Sequence, residues 1–95
     1  MMKKWEANLL QVDNVLFKWM KKQKKASTDP VDCIGVLEEV GIYKPTNRPG
    51  KPLRDDLRDA RNASGVSTSE PFEYCTANLR FEQEAKFQPW IIYRK

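Results

Sequence analysis

The sequence predicts an α+β domain in which three helices lead into a C-terminal β-hairpin, and three observations carry that prediction. Apolar residues recur at helical spacing from about position 4 to 24, and two shorter segments with clear start and stop residues follow. The last third of the chain then turns to aromatic and β-branched residues. At 95 residues the chain is sized for a single domain spanning 1–95. Such a chain buries about 60 to 65% of its unfolded surface, so its core is small.

The first helix rests on Trp5, Leu9, Val12, Leu16 and Trp19, which recur at steps of four and three, with Leu10, Val15, Phe17 and Met20 widening the face. Two heptads fall short of a coiled coil. Residues 1–25 therefore form an N-terminal amphipathic helix that either braces its own domain or pairs with a second copy as a homodimer. It ends in Lys21, Lys22, Gln23, Lys24 and Lys25, positive charge where the helix dipole favours it.

The second helix is expected from Pro30 to about Val40. Thr28 or Asp29 supplies the cap, Val31, Ile34, Leu37 and Val40 the apolar stripe, and Gly41 the left-handed stop. Ile42 and Tyr43 are expected to form a short strand or extended link, with Tyr43 anchored in the core. Three prolines and Gly50 make residues 44–52 a loop, and an unusually basic one, with Lys44, Arg48 and Lys51 beside the start of the third helix.

The third helix, residues 52–64, places Leu53, Leu57 and Ala60 on one face and Arg54, Arg58 and Arg61, spaced four and three apart, on another. Asp55, Asp56 and Asp59 lie among the arginines and weaken its positive field. Carboxylates also hold guanidinium forks in position, so groove contact survives their presence. Beyond Gly65, Phe72 to Phe81 and Phe87 to Tyr93 read as strands. A change of phase near 77–79 suggests a bulge or break, and Glu82 to Lys86 closes the hairpin. Trp90 is expected in the core, paired either with Ile92 inside or with Ile91 and Tyr93 turned inward instead.

A supporting helix, an arginine-bearing helix and a terminal hairpin make residues 30–95 a small winged-helix-like domain. That fold class implies binding to double-stranded DNA without catalysis. Arg54, Arg58 and Arg61 enter or edge the major groove, and Lys51, Arg48 and Lys44 fix the helix start on phosphate. Lys21, Lys22 and Lys24 extend the backbone footprint, and Arg80, Lys86 and Gln88 contact phosphate from the wing. The charge is distributed to suit: residues 1–25 carry seven lysines against Glu6 and Asp13, and residues 26–41 carry four acids and no base. Residues 42–65 carry six bases and three acids.

Other functions have less support. With no histidine in the chain, Ser-His-Asp and Cys-His nucleophile systems are impossible within it, and there is no Cys-x-x-Cys pair or phosphate-cradling glycine loop. Neither a metal nor a small-molecule cofactor is expected. Cys33 and Cys75 read as small core side chains rather than a disulfide. Glu84-Ala-Lys86 with Asp55 or Asp59 is the one pattern suggesting a metal-dependent nuclease. A protein-interaction module, adaptor or inhibitor, is the main alternative to DNA binding. No apolar run approaches the about 20 residues that cross a bilayer, and a cytoplasmic, membrane-free chain is expected.

Overall fold

Helix α1 (Lys4–Gln23) begins where the backbone N–H of Lys3 donates to Glu6 Oε1 at 2.9 Å and ends where Lys24 takes a left-handed conformation. In the computed structural model, which describes residues 1–95, it is followed by β1 (Ser27–Thr28), α2 (Pro30–Glu39), α3 (Lys51–Ser64), β2 (Phe72–Cys75), β3 (Leu79–Gln83) and β4 (Ile91–Arg94). The strands form one antiparallel sheet in the order β1-β4-β3-β2. The expected α+β architecture with three helices is therefore present. The sheet is larger than a single hairpin.

Two differences account for the larger sheet. The chain pairs before α2, at Ser27–Tyr93 and Thr28–Ile92, instead of after it. Ile42 and Tyr43 instead make a turn in which both N–H groups donate to Leu37 O, which satisfies the end of α2 and leaves no strand there. The break anticipated near 77–79 is a tight connection between β2 and β3, so the C-terminal third is a three-stranded meander with a longer loop, residues 84–90, before β4.

The core forms where the helices meet one face of the sheet. Leu9, Val12, Leu16 and Met20 of α1 join Ile34 and Leu37 of α2, Leu53, Leu57 and Ala60 of α3, and Leu79, Phe81 and Ile92 of the sheet. Trp90 is buried and meets the Phe72 ring edge-on at 6.1 Å, while Trp5 meets Tyr74 at 5.8 Å. Of the two strand phases, Ile92 turns inward and Ile91 outward. On α2 the buried stripe runs through Cys33, Ile34 and Leu37, leaving Val31 and Val40 exposed, a rotation toward Cys33 relative to the expected face. Cys75, expected in the core, is exposed because the alternation of β2 turns Phe72 and Tyr74 inward and Glu73 and Cys75 outward.

Two polar ties orient the layers. Buried Asp13 on α1 accepts from Thr76 Oγ1, from the Asn78 N–H at 2.9 Å and from Asn78 Nδ2 at 3.0 Å, so a carboxylate in mid-helix fastens α1 to the β2–β3 turn. Asp56 on α3 accepts from the Tyr43 hydroxyl at 2.6 Å and from Asn8 Nδ2 at 2.9 Å, linking α3 to α1 and to the end of α2.

The start of α3 is fixed by a close approach. Asp29 caps α2 by accepting from the Asp32 N–H at 2.8 Å, and Gly50, which caps α3 at φ 84°, lies against the same end of α2. A Cβ at Gly50 would stand 2.9 Å from both the carbonyl carbon and oxygen of Pro30. Both the left-handed backbone and the contact therefore demand glycine. Gly50→Ala is expected to lower stability by about 1 to 3 kcal/mol in urea denaturation; an unchanged midpoint would show that the two helix starts are not held in contact.

Burial also sets the alkaline limit of the fold. It pushes the Cys33 thiol up from 9.0 to about 12, with Asp29 adding to the shift. It likewise raises the Tyr43 phenol, with the bond to Asp56 as the second cause. The unfolded chain releases these protons near pH 9.0 and 10.0 respectively while the folded chain keeps them, so their contribution to stability is full below about pH 9 and falls as pH rises. Each proton adds up to about 1.4 kcal/mol per pH unit to that slope. Tyr43→Phe is expected to flatten the fall above about pH 10 in denaturation curves recorded across pH 8 to 11. An unaltered slope would remove Tyr43 as its source.

Candidate nucleic-acid interface

A cleft of about 400 Å³ opens between α3 and the 84–90 loop. Its cations are Arg48, Lys51, Arg54, Arg58, Arg61 and Lys86, and its one carboxylate is Asp55. Gln83, Phe87, Gln88 and Trp90 complete the lining on the sheet side.

Local structure explains how each cation arrives there. Thr46 Oγ1 donates to Arg48 O at 2.8 Å and accepts from the Arg48 N–H at 3.2 Å, and the Lys51 N–H donates to Arg48 O at 3.0 Å. This fastens the exposed Arg48 against the first turn of α3. Arg54 Nη1 donates to Pro49 O at 3.1 Å, so this guanidinium lies along the helix start. Lys51 Nζ pairs with Asp55 at 2.7 Å; Arg58 reaches Asp55 at 3.5 Å and Asp59 at 3.9 Å. These pairs are half-exposed and each is worth no more than about 1 kcal/mol, so a competing phosphate can exchange for the carboxylate. Asp56, the third acid of the segment, is turned away to Tyr43 and Asn8.

Arg61 departs from the expected exposed stripe. It is only 2% exposed, and its guanidinium lies 5.8 Å from the Phe72 ring centre. Nη2 donates to Ser67 O at 2.8 Å and to Glu70 O, and Nη1 to Gln83 Oε1 at 3.4 Å. Three of its five N–H donors are bonded within the domain, and the residue braces the cleft floor.

The same brace extends into the opposite wall. Gln83 Nε2 donates to Gln88 O at 2.8 Å, and the Lys86 N–H donates to Thr68 O at 2.9 Å. Between those anchors Phe87 sits at φ 73° with its side chain 90% exposed and Lys86 Nζ 5.6 Å from its ring centre. Sequence reasoning assigns Phe87 to a strand and Gln88 to a phosphate contact of the wing, and does not identify Gln83 or Phe87 as part of a site; the structure places all three in the cleft lining. Helical spacing did hold one missed signal: Leu57 and Arg61 stand four residues apart and so share a face.

The remaining predicted contacts lie elsewhere. Lys44 is exposed in the loop but does not line the cleft. Lys22 and Lys24 are exposed at the end of α1, and Lys21 sits over Phe17 in a separate hollow with Arg94 and Lys95. Arg80 is paired with Glu82 and stacked 5.1 Å from the Tyr93 ring centre. Glu84, with Glu73 and Glu82, lines a different hollow of about 320 Å³ beside Ile91 and Tyr93, so the Glu84, Lys86 and Asp55 grouping of a nuclease is divided between two sites. No cluster of three or more potential metal ligands is assembled. No helix is long and apolar enough to cross a membrane.

Comparison of the chain with protein-family models, with curated proteins and with solved structures finds no match.

Arg61→Lys keeps the charge but loses the planar fork that reaches two carbonyls and an amide together. It is expected to lower stability by about 1.5 to 3 kcal/mol and to speed amide exchange at Lys86, whose N–H is bonded to the segment that Arg61 holds. Wild-type stability and exchange would eliminate the bracing role.

Proposed function

We propose that the protein binds double-stranded DNA without catalysing a reaction, with α3 as the recognition helix and the 84–90 loop as a wing. The observation that carries this proposal is the cleft itself, which gathers Arg48, Lys51, Arg54, Arg58 and Lys86 with one carboxylate, Asp55, in the lining, although the whole chain is only +4. Clustered positive charge beside a helix start is a phosphate-binding arrangement, because the helix's unpaired N–H groups and dipole add to the field of the side chains. Connectivity supports the same assignment. A winged helix places a short strand after its first helix, a helix pair next, and a terminal hairpin whose last strand pairs with that short strand; here β1 pairs with β4, and β2 is an additional edge strand.

Within this proposal Arg48, Lys51, Arg54, Arg58 and Lys86 contact the duplex, and Arg61 holds the two walls apart at the right spacing. Lys21, Lys22 and Lys24 remain a second, separate basic region for a longer duplex. A dimer through α1 has less to work with than its sequence suggests, since Trp5, Val15 and Trp19 pack against the core and Leu10 is the one large apolar side chain of the helix that is exposed. The outer sheet hollow, with three glutamates beside Ile91 and Tyr93, favours a protein partner as a second use of the molecule.

Fluorescence anisotropy of a mixed-sequence duplex at several salt concentrations tests the proposal. The wild type is expected to bind with affinity that falls steeply with salt. Arg58→Glu, exposed and remote from the core, is expected to keep the wild-type circular dichroism while weakening binding and flattening the log–log salt dependence by about 1 or more. Absence of binding at low salt, or wild-type affinity in Arg58→Glu, overturns it.

A further inference from the structure

We infer that Phe87 is an apolar wedge that contacts the bases of a bound duplex while Lys86 neutralises the adjoining phosphate; the inference rests on the duplex-binding proposal and adds a residue that reads the inside of the duplex instead of its backbone. Phe87 is 90% exposed in a chain whose other aromatic residues are all buried or half-buried. Exposure of so large an apolar ring forgoes stabilisation that burial elsewhere in the fold supplies. Its backbone conformation, at φ 73°, adds strain of a kind that accumulates at ligand contacts.

The loop that carries the ring is also fastened. Gln83 Nε2 bonds Gln88 O, the Gln88 N–H bonds Ala85 O, and the Lys86 N–H bonds Thr68 O, so the loop is fastened on both sides of Phe87. Trp90 is buried edge-on against Phe72, and the exposed ring of Phe87 takes no part in that aromatic pair. Fastened in this way, the backbone that carries the ring loses little conformational entropy on binding.

The surroundings of the ring identify its occupant. Phe87 lines the same cleft as Arg48, Lys51, Arg54 and Arg58, so whatever meets it is polyanionic and also offers flat apolar surface. Nucleic acid joins both in each nucleotide, with phosphate outside and the base and sugar faces within. Apolar side chains that enter a duplex partly unstack a base step and kink the helix.

A short duplex carrying 2-aminopurine, whose fluorescence rises when the base is unstacked, tests the inference alongside anisotropy. Wild-type protein is expected to raise the signal. Phe87→Ala, a surface change that leaves the core intact, is expected to abolish the rise and weaken binding about tenfold without altering the salt slope. Phe87→Trp retains both properties, whereas Lys86→Ala keeps the aminopurine rise and flattens the salt slope by about 1. Wild-type affinity and fluorescence in Phe87→Ala, or weaker binding by Phe87→Ala when the wild type gives no aminopurine rise, overturns the wedge while duplex binding stands. A wild-type protein that binds no duplex at low salt overturns both proposals together.

Discussion

A buried guanidinium organises the side of the molecule on which the cleft lies. Arg61 projects from the last turns of α3, yet its three hydrogen-bond partners belong to the 65–71 connection and to β3. Without a guanidinium there, Glu70 O would lose this donor and Ser67 O would keep only the Glu70 N–H, which bonds it at 3.2 Å. Supplying that donor from α3 makes the helix, the connection and the sheet edge one unit. The 84–90 loop then inherits its position, since Lys86 bonds Thr68 within the braced segment and Gln83, itself a partner of Arg61, bonds Gln88. Two walls of a charged cleft repel each other, and this network is what holds them in register.

Helix positions were legible in the sequence because each carries local instructions. Asp29 before Pro30, Gly41 after Val40, and Gly50 and Gly65 around the arginine-bearing segment define starts and stops within a residue or two of those observed. The sheet was less legible for a physical reason. Strand β1 is two residues long and is defined only by Tyr93 and Ile92 opposite it, some 65 positions away in the chain, so nothing local marks it. Likewise Cys75 and Phe72 are chemically similar core candidates, and only the register of β2 against β3 turns one out and the other in.

The cleft was half legible. Counting arginines at spacings of four and three locates Arg54 and Arg58 correctly, but the same count places Arg61 with them. At about 100° per residue, Arg61 stands about 40° from Leu57 while Arg58 stands about 100° from it, so the third arginine borders the apolar face. An arginine there is drawn into the domain by its aliphatic stem and by any carbonyls within reach. Phe87 shows the converse limit. Its composition suits a strand, and only the three-dimensional anchoring of its neighbours makes it an exposed loop residue.

The acids of α3 finally decide whether its positive face can hold phosphate. Had all three pointed with the arginines, the helix would be close to neutral where a ligand meets it. Asp56 is instead withdrawn by two hydrogen bonds that tie α3 to the rest of the domain, and its charge is offset by no arginine. Asp55 remains, bridging Lys51 and Arg58 on one side of the helix, and Asp59 stands at the longer distance of 3.9 Å from Arg58. Bridging holds two long, flexible side chains in place at the cleft, which under the proposed duplex binding lowers the entropy lost when a phosphate replaces the carboxylate. Because both pairs are half-exposed, releasing them costs little. Asp55 therefore weakens the long-range attraction of the cleft for any polyanion while making its cations more ordered at short range, a balance that favours closely fitted phosphates over diffuse negative charge.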